Sequence, residues 1–172
     1  MNRKALQKLS YGVYLVTTLS EEKQYGCIVN SIMQITSTPI QIAVSLNHDN
    51  ATHNAIANSG IFVVAILSTN YILALIGGFG YRSSKDVNKF AEVPVEYVDG
   101  LPVPAESMAW MTCRVVQTMD AGSHTIFLGE VMDSAITQEN AIPMTYQFYH
   151  TVIKGESPKN APTYVPSEEN EN

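Results

Sequence analysis

Hydrophobic positions along the chain recur mainly as the short runs and twofold alternation that are typical of β-strands. In residues 40–46, Ile42, Val44 and Leu46 alternate with small or polar neighbours, and residues 61–67 form an uninterrupted apolar run of strand length. The same criteria, with enrichment in aromatic and β-branched residues, predict further strands over residues 11–19, 25–36, 109–119 and 125–135.

The order of these segments indicates how they pair. Three strands between residues 11 and 46 predict an antiparallel meander, and Asp120-Ala121-Gly122-Ser123 predicts the turn of a later hairpin. No predicted strand is followed by a helix long enough for a parallel crossover. The predicted fold class is therefore mainly β, an antiparallel, Greek-key-like barrel with short helices in its connections.

Three short helices are predicted outside the strands. Residues 2–9 suit an amphipathic helix that lies on a larger body, and residues 53–58 follow capping side chains and end at Ser59-Gly60. A third helix, over residues 71–76, is expected to end at Gly77-Gly78. This glycine-rich segment reads as a helix stop rather than a phosphate loop, because it follows no strand and precedes no Lys-Ser/Thr pair.

Composition predicts one domain. The chain has 172 residues, of which 45% are hydrophobic and 15% charged, enough for one substantial core. We place the domain at residues 1–155 and expect the proline-containing, acidic residues 156–172 to extend or fray.

The net charge of −6 argues against nucleic-acid binding. Cys27 and Cys113 lie far apart without companion cysteines, and the five-residue spacing of His48 and His53 is poor for two ligands on one helix face, so we predict reduced thiols and no metal site. No secretory signal and no apolar run of membrane-spanning length is found, which predicts a soluble, cytoplasmic protein without a membrane partner.

The distribution of charge is more informative than its sum. Between Lys23 and Arg82 the only formal charge is Asp49, and then Arg82, Lys85 and Lys89 fall within eight residues. Together with neighbouring serines this segment suits a phosphomonoester, although a solvated surface loop would look the same. The uncharged, polar residues 30–37 and 45–53 suit a polar heteroaromatic ligand, or else ordinary turns at strand ends.

Four blocks in this order resemble the flavin reductase-like proteins with an FMN-binding split barrel. The blocks are Asn30-x-x-x-Gln34-x-Thr36-Ser37-x-Pro39, Asn47-x-x-Asn50-x-Thr52-His53, Gly78-Phe79-Gly80-x-Arg82-Ser83-x-x-Asp86-Val87-x-Lys89-Phe90, and Gly122-Ser123-His124-Thr125-Ile126-Phe127-Leu128-Gly129-Glu130-Val131. The resemblance covers about residues 1–164, and residues 154–164 are similar to members in which this domain precedes a rubredoxin module. Ile40 and Ser123 depart from the family, since many members have Pro and Asp there.

The resemblance implies a homodimer that binds FMN at the subunit interface, with residues from both chains. Four residues would line the isoalloxazine edge: Asn30, Gln34, Thr36 and Ser37. Five would contact the ribityl chain and the phosphate: Ser45, Asn47, Asn50, Thr52 and His53. Three would neutralise the phosphate: Arg82, Ser83 and Lys89. Asp86 would orient one of these cations.

The chemistry implied is hydride transfer from C4 of NADH or NADPH to N5 of the flavin, whose own ring is the electron sink. His124 resembles a histidine that faces the nicotinamide nucleotide, but it could equally be a hairpin histidine that bonds local backbone. Four aromatic residues could cover a flavin face or belong to the core: Trp110, Tyr146, Phe148 and Tyr149.

Three functions follow from the residues and the resemblance. The first is an FMN-dependent oxidoreductase that takes electrons from NADH or NADPH. The second is an FMN-bound electron carrier that serves a ferredoxin- or rubredoxin-like partner, and the third is a split-barrel binding protein without redox turnover. The sequence identifies no position that chooses between the two nicotinamides.

Overall fold

The computed structural model describes residues 3–71, 73–91 and 93–164. After a 3₁₀ helix at Arg3–Lys8, the strands are β1 (Tyr14–Ser20), β2 (Lys23–Val29), β3 (Ile32–Ser37), β4 (Ile40–Asn47), β5 (Ile61–Ile66), β6 (Val95–Val98), β7 (Leu101–Pro104), β8 (Ala109–Asp120) and β9 (His124–Ile136). The helices are α1 (Ala51–Ser59), α2 (Leu73–Tyr81) and α3 (Tyr146–Thr151). Within the described ranges no helix is both long and apolar enough to cross a bilayer.

Seven strands form one antiparallel sheet in the order β2-β1-β5-β8-β9-β4-β3. One buried cluster contains Val16 of β1, Cys27 of β2, Val44 of β4 and Phe127 of β9, which come from opposite ends of this order. A flat sheet could not bring these side chains together, so the sheet curls around a common core. The predicted mainly β barrel is confirmed.

The predicted meander is wrong in one respect. The apolar run over residues 25–36 is not one strand but two, which separate at Asn30 and Ser31. β2 pairs with β1, whereas β3 pairs with β4 at the other end of the sheet order. The chain therefore makes two hairpins, because buried partners on different strands, rather than the local pattern, decide where each half pairs.

Helix α1 confirms its capping signals. The Asn50 side chain accepts a hydrogen bond from the amide of Thr52, and Gly60 ends the helix in the left-handed conformation with φ 71°. The predicted N-terminal amphipathic helix is instead a 3₁₀ segment, and its Leu6 and the following Leu9 are each 57% exposed. More than half of each leucine side chain is therefore exposed to solvent rather than packed on the body.

The predicted end of the next helix at Gly77-Gly78 is also wrong, because α2 continues to Tyr81. Phe79 is buried and stacks edge-on against Phe90, with ring centroids 5.0 Å apart. A Cβ added at Gly26 of β2 would lie 2.8 Å from the Phe79 ring. Packing of Phe79 into the space left by a glycine of β2 thus outweighs the low helix propensity of the glycines in α2.

Candidate functional site

A pocket opens where the ends of β2, β4 and α2 meet the beginnings of α1 and β9, and α3 and the residues after it close its outer side. In the sheet register, Asn47 at the end of β4 faces His124 at the start of β9. The amide of Ser45 donates to the carbonyl of Ser31 over 3.1 Å, which holds the segment after β2 beside β4. The space, counted out into the open solvent at its mouth, is about 750 Å³.

Five of the predicted site residues line this pocket: Asn30, Ser45, Asn47, Asn50 and His124. Four of them come from three of the four sequence blocks, and Ser45 lies just before the second block. Apolar side chains that include Val13, Val29 and Ile76 form other parts of the lining. The pocket therefore combines neutral polar groups with apolar surface.

Asn30 provides a fixed polar group in this lining. It is 6% exposed, and its Oδ1 accepts a hydrogen bond from the Ser31 hydroxyl over 3.1 Å. Its Nδ2 donates to Thr163 Oγ1 over 2.9 Å. Because both ends of the amide are bonded, its orientation is determined.

The segment between β4 and α1 presents further polar groups. Asn47 Oδ1 accepts from the Asp49 amide over 2.8 Å, and Asn50 Oδ1 accepts from the Thr52 amide over 3.0 Å. Thr52 is fully buried and is not among the residues that line the pocket. Burial raises the pKa of the Cys27 thiol, and the neighbouring Thr52 hydroxyl opposes this effect, so the Thr52 side chain faces the core.

His124 stands at the start of β9 with its ring directed by its neighbour. Its Nδ1 lies 2.8 Å from Ser123 Oγ, so the serine that departs from the family pattern contacts the ring. Burial lowers the pKa of His124, the nearby His48 acts in the same direction, and the backbone of Asn160 opposes both. No described group is in hydrogen-bonding geometry with the buried Nε2. The lowered pKa favours the neutral imidazole, whose Nε2 is covered by its surroundings, with the backbone of Asn160 near the ring.

Beside His124, two further histidines share one hydroxyl group. His48 Nε2 lies 3.1 Å and His53 Nε2 2.8 Å from Thr125 Oγ1. The other nitrogen of His53, Nδ1, lies 2.9 Å from Asn54 Oδ1. His53, a predicted site residue, is therefore next to the pocket residues but bonded to the β9 strand.

Tyrosines form the aromatic part of the lining. Tyr81 ends α2, and Tyr146 and Tyr149 lie on α3; all three line the pocket. Burial raises the pKa of Tyr149, and the nearby Tyr81 adds to the effect. Of the other aromatic candidates, Trp110 belongs to a core cluster and Phe148 packs against another.

Residues 156–163, which we name the C-terminal strap, cover the outer side of the pocket. Six of its residues line the space: Glu156, Ser157, Pro158, Asn160, Ala161 and Pro162. The strap contains no helix or strand. Its Asn160 carbonyl lies 3.4 Å from Asn47 Nδ2, and its Thr163 hydroxyl accepts from Asn30.

Three predicted flavin residues lie away from this pocket. Gln34, Thr36 and Ser37 are exposed on β3, the edge strand of the sheet. Gln34 Nε2 donates to the Thr36 carbonyl over 3.3 Å, and Thr36 Oγ1 donates to the Pro39 carbonyl over 2.5 Å. One chain alone does not unite them with Asn30.

The basic segment divides into two parts. Lys89 Nζ donates to the carbonyls of Gly26 and Phe79 over 2.9 and 3.1 Å, and burial lowers the pKa of Lys89. Arg82 is exposed and directly follows Tyr81 of the pocket. Ser83 Oγ accepts from the Lys85 amide over 3.1 Å. Lys89 thus fastens β2 to α2, whereas Arg82 stands near the pocket rim.

Sequence reasoning did not single out Cys27, Tyr81 or the strap residues as site residues. The sequence presents Cys27 as an isolated thiol, and Tyr81 lies beyond the helix end that the glycines predict. The strap lies within residues 154–164, which resemble rubredoxin-linked members of the family, but no hydrophobic periodicity distinguishes it in the sequence. Both cysteines are free and buried, and the described side chains contain no cluster of three or more His, Cys, Asp or Glu suited to a metal ion.

A family model for the flavin reductase like domain matches residues 6–153. The chain is 40% identical over 171 residues to a ferric-chelate reductase (NAD(P)H) of Archaeoglobus fulgidus, covering 97% of this chain and 99% of that one. It is 41% identical over 167 residues to a high molecular weight rubredoxin of Moorella thermoacetica, covering 96% of this chain and 72% of the relative.

A solved structure shares the fold. The nitrilotriacetate monooxygenase component B homologue from Mycobacterium thermoresistibile superposes with a TM-score of 0.76 at 26% identity. The match covers 83% of this chain and 79% of that one. With the family match over most of its length and the shared barrel, the chain belongs to the flavin reductase-like family of flavin-dependent oxidoreductases.

Proposed function

We propose that this protein binds FMN in the pocket between β2, β4, β9 and the C-terminal strap, and uses NADH or NADPH to reduce it. The observation that carries the proposal is the convergence of Asn30, Asn47, Asn50 and His124 on one pocket walled by tyrosines. These residues come from separate blocks of the chain, and the fold brings them together.

The lining suits a flavin in its polar and apolar parts. Asparagine amides and serine hydroxyls can pair with the ring's nitrogen and carbonyl edge, while tyrosine rings and aliphatic side chains can contact its faces. His124 lines the pocket, and its Nε2 is a buried polar atom without a hydrogen bond to the described side chains. Such an atom is costly unless a ligand or water bonds it, so His124 fits a pocket for a polar cofactor.

A single phosphate suits the end of the pocket near α1. The N-terminus of this helix and the exposed Arg82, which directly follows Tyr81 of the pocket, would supply its hydrogen bonds and charge. Ser83 would add a hydroxyl, and the buried ammonium of Lys89 would act mainly by holding α2 and β2 in place. This favours FMN, which has one phosphate, over FAD.

When bound, FMN supplies an electron sink that accepts hydride from a reduced nicotinamide. The protein's residues bind and orient the two rings and exclude water from between them. His124, whose pKa burial lowers, lines the pocket and would face the nicotinamide in its neutral form. Support for the electron donor comes from the Archaeoglobus relative, whose name specifies NAD(P)H.

We further propose a homodimer with a flavin site at each interface. Exposed apolar side chains lie on the four neighbouring strands β8, β9, β4 and β3, among them Met33, Ile35 and Ile40. Gln34, Thr36 and Ser37 lie on the same edge strand, so pairing of two copies there would carry these residues to the partner's flavin. The free, buried cysteines suit a reducing compartment, and we place the protein in the cytoplasm.

The purified protein, loaded with FMN, tests the proposal. We expect a yellow complex with about one FMN per chain, measured by absorbance after gel filtration, and anaerobic NADH or NADPH should bleach it. Riboflavin, which lacks the phosphate, is the matched control ligand and should bind more weakly. A protein that retains no FMN would contradict the assignment and favour a binding protein without redox turnover.

A second candidate is an FMN-bound electron carrier that serves a rubredoxin- or ferredoxin-like partner. The relative named high molecular weight rubredoxin favours the carrier function. This chain covers 72% of that protein, so the relative has a further segment that this chain does not match. The same experiment separates the two functions. FMN that binds but is bleached by neither nicotinamide would favour the carrier, whereas bleaching within seconds favours the reductase.

A further inference from the structure

The C-terminal strap forms one part of the pocket wall. Strap residues and residues of β2 and β4 line the same space. The strap is also bonded to residues of the pocket lining, since Thr163 accepts from Asn30 and the Asn160 carbonyl faces Asn47. A ligand in this space would therefore contact the strap as well as the barrel.

One tyrosine fastens both ends of the strap. The Tyr146 hydroxyl bonds the Ser157 hydroxyl near the start of the strap and lies 2.7 Å from Thr163 Oγ1 at its end. Tyr81 donates to the Glu156 carbonyl over 2.5 Å. Because Thr163 Oγ1 bonds both Tyr146 and Asn30, this single hydroxyl joins strap, aromatic wall and polar lining.

The strap can move away from the pocket without breaking any of the described backbone hydrogen bonds of the barrel. Among the described backbone hydrogen bonds of residues 156–163, the strap makes only its own turns, from the Ala161 amide to the Pro158 carbonyl and from the Tyr164 amide to the Ala161 carbonyl. Its bonds to the body run through side chains. Segments held this way open at lower cost than strands of a sheet.

The strap begins at a point fixed on α3. The Gly155 amide donates to the Tyr149 carbonyl over 3.0 Å, and His150 Nδ1 donates to the Gly155 carbonyl over 2.7 Å. A Cβ at Gly155 would lie 2.1 Å from the Tyr149 ring. Lys154 just before it has φ 61°, in the left-handed region. The chain thus turns onto the pocket at one narrow place that no larger residue could occupy.

We propose that the C-terminal strap is a movable wall of the flavin pocket, which closes over bound FMN and retains it through repeated turnovers. The proposal rests on the proposed function. It makes FMN a resident cofactor, whose exchange requires the bonds of Thr163 and Ser157 to break, rather than a substrate released after each reduction. Electrons, not the flavin itself, then leave the protein.

Limited proteolysis of the full-length protein tests whether the strap closes over FMN. Lys159 is exposed in the strap and is a site for trypsin. Cleavage after Lys159, followed by mass spectrometry, should be about tenfold slower with saturating FMN than without it, because cleavage requires the strap to open. Cleavage at equal rates while FMN is bound would overturn the proposal.

A hydroxyl substitution tests retention directly. Thr163→Val removes two hydrogen bonds of the strap with little change of shape, so FMN should dissociate about tenfold faster. The dissociation rate is measured from the recovery of FMN fluorescence after dilution. Thr151→Val is the matched control, because its hydroxyl bonds only the Gln147 carbonyl within α3. Gly155→Ala should also speed dissociation by displacing the start of the strap.

The outcomes separate the two proposals. If FMN binds and both Thr163→Val and Gly155→Ala release it at the wild-type rate, the strap proposal is wrong while the proposed function stands. If the wild-type protein binds no FMN, the proposed function fails and the strap proposal fails with it. Circular dichroism during heating shows whether each variant is folded.

Discussion

At the scale of single residues, Lys89 shows how one side chain can resemble a ligand contact while serving the fold. In the sequence it belongs to a basic cluster suited to a phosphate. In the structure its ammonium donates to two backbone carbonyls, at Gly26 and Phe79, and lies 5.6 Å from the centre of the Phe79 ring. Arg82, seven residues earlier, is exposed beside the pocket.

This difference predicts opposite effects for two substitutions. Arg82→Ala should weaken FMN binding about tenfold with little change in stability, because it removes a charged contact at the rim. Lys89→Met should lower the free energy of unfolding by about 2 kcal/mol, because two carbonyls lose a charged donor. FMN titration and urea denaturation measure the two effects.

Lys85→Ala is the control for both, since this lysine is exposed in the same segment. Unchanged FMN affinity in Arg82→Ala would show that the phosphate lies elsewhere. A Lys89→Met protein as stable as the wild type would contradict the fastening role of its ammonium.

At the scale of elements, the contact between α2 and β2 depends on glycine at one position and tolerates a side chain at another. A Cβ at Gly26 would lie 2.8 Å from the Phe79 ring and 3.0 Å from that of Phe90. A Cβ at Gly78, within α2, would meet no atom within 4 Å. The same chemical change should therefore have opposite signs at the two sites.

We expect Gly26→Ala to lower the free energy of unfolding by about 1–3 kcal/mol, as overpacking does. Gly78→Ala should raise it by up to about 1 kcal/mol, because alanine favours the helix. Urea midpoints compare the two variants, each the control of the other. Equal changes in the two urea midpoints would mean that Phe79 does not pack α2 against β2.

The same contact explains which elements the sequence could predict. Helix α1 and strands β4 and β5 carry their signals locally, in Asn50, Gly60 and the apolar runs. The β6–β7 hairpin also carries a local signal, since Asp99 and Gly100 form its turn with φ 50° and 79°, although the prolines around it are unfavourable for strands. The end of helix α2 could not be predicted from the local sequence, because the packing of Phe79 depends on Gly26, which is far away in the chain.

The candidate site was predictable only in part, for a similar reason. The resemblance singled out Asn30, Asn47, Asn50 and His124, which the fold does bring together. No local pattern links Asn30 to Thr163, which lie 133 positions apart and meet only through the strap. Such contacts follow from the path of the whole chain.

At the scale of the whole molecule, the proposed dimer accounts for the exposed apolar side chains of β3. Ile35 is 47% exposed on this edge strand, close to three predicted flavin residues. Edge strands with apolar side chains invite pairing with another copy. We expect the wild-type protein to sediment at twice the 18.9 kDa of one chain.

Ile35→Lys should shift this protein toward the monomer and weaken FMN binding, because a charge would be buried at the interface and each flavin would lose its partner residues. Ile142→Lys is the control, since Ile142 is 67% exposed outside these strands. Analytical ultracentrifugation reports the mass. A monomeric wild-type protein that binds FMN fully would refute the shared site.

The Thr125 hydroxyl, which bonds both His48 and His53, links the directions of the hydrogen bonds near the pocket. If His53 is neutral, its Nδ1 must carry the hydrogen donated to Asn54, so its Nε2 accepts from Thr125. Having given its only hydrogen to His53, Thr125 can only accept from His48 Nε2. The tautomers of the two rings are therefore linked, and a proton added to His53 at Nε2 would force the threonine hydroxyl to turn away.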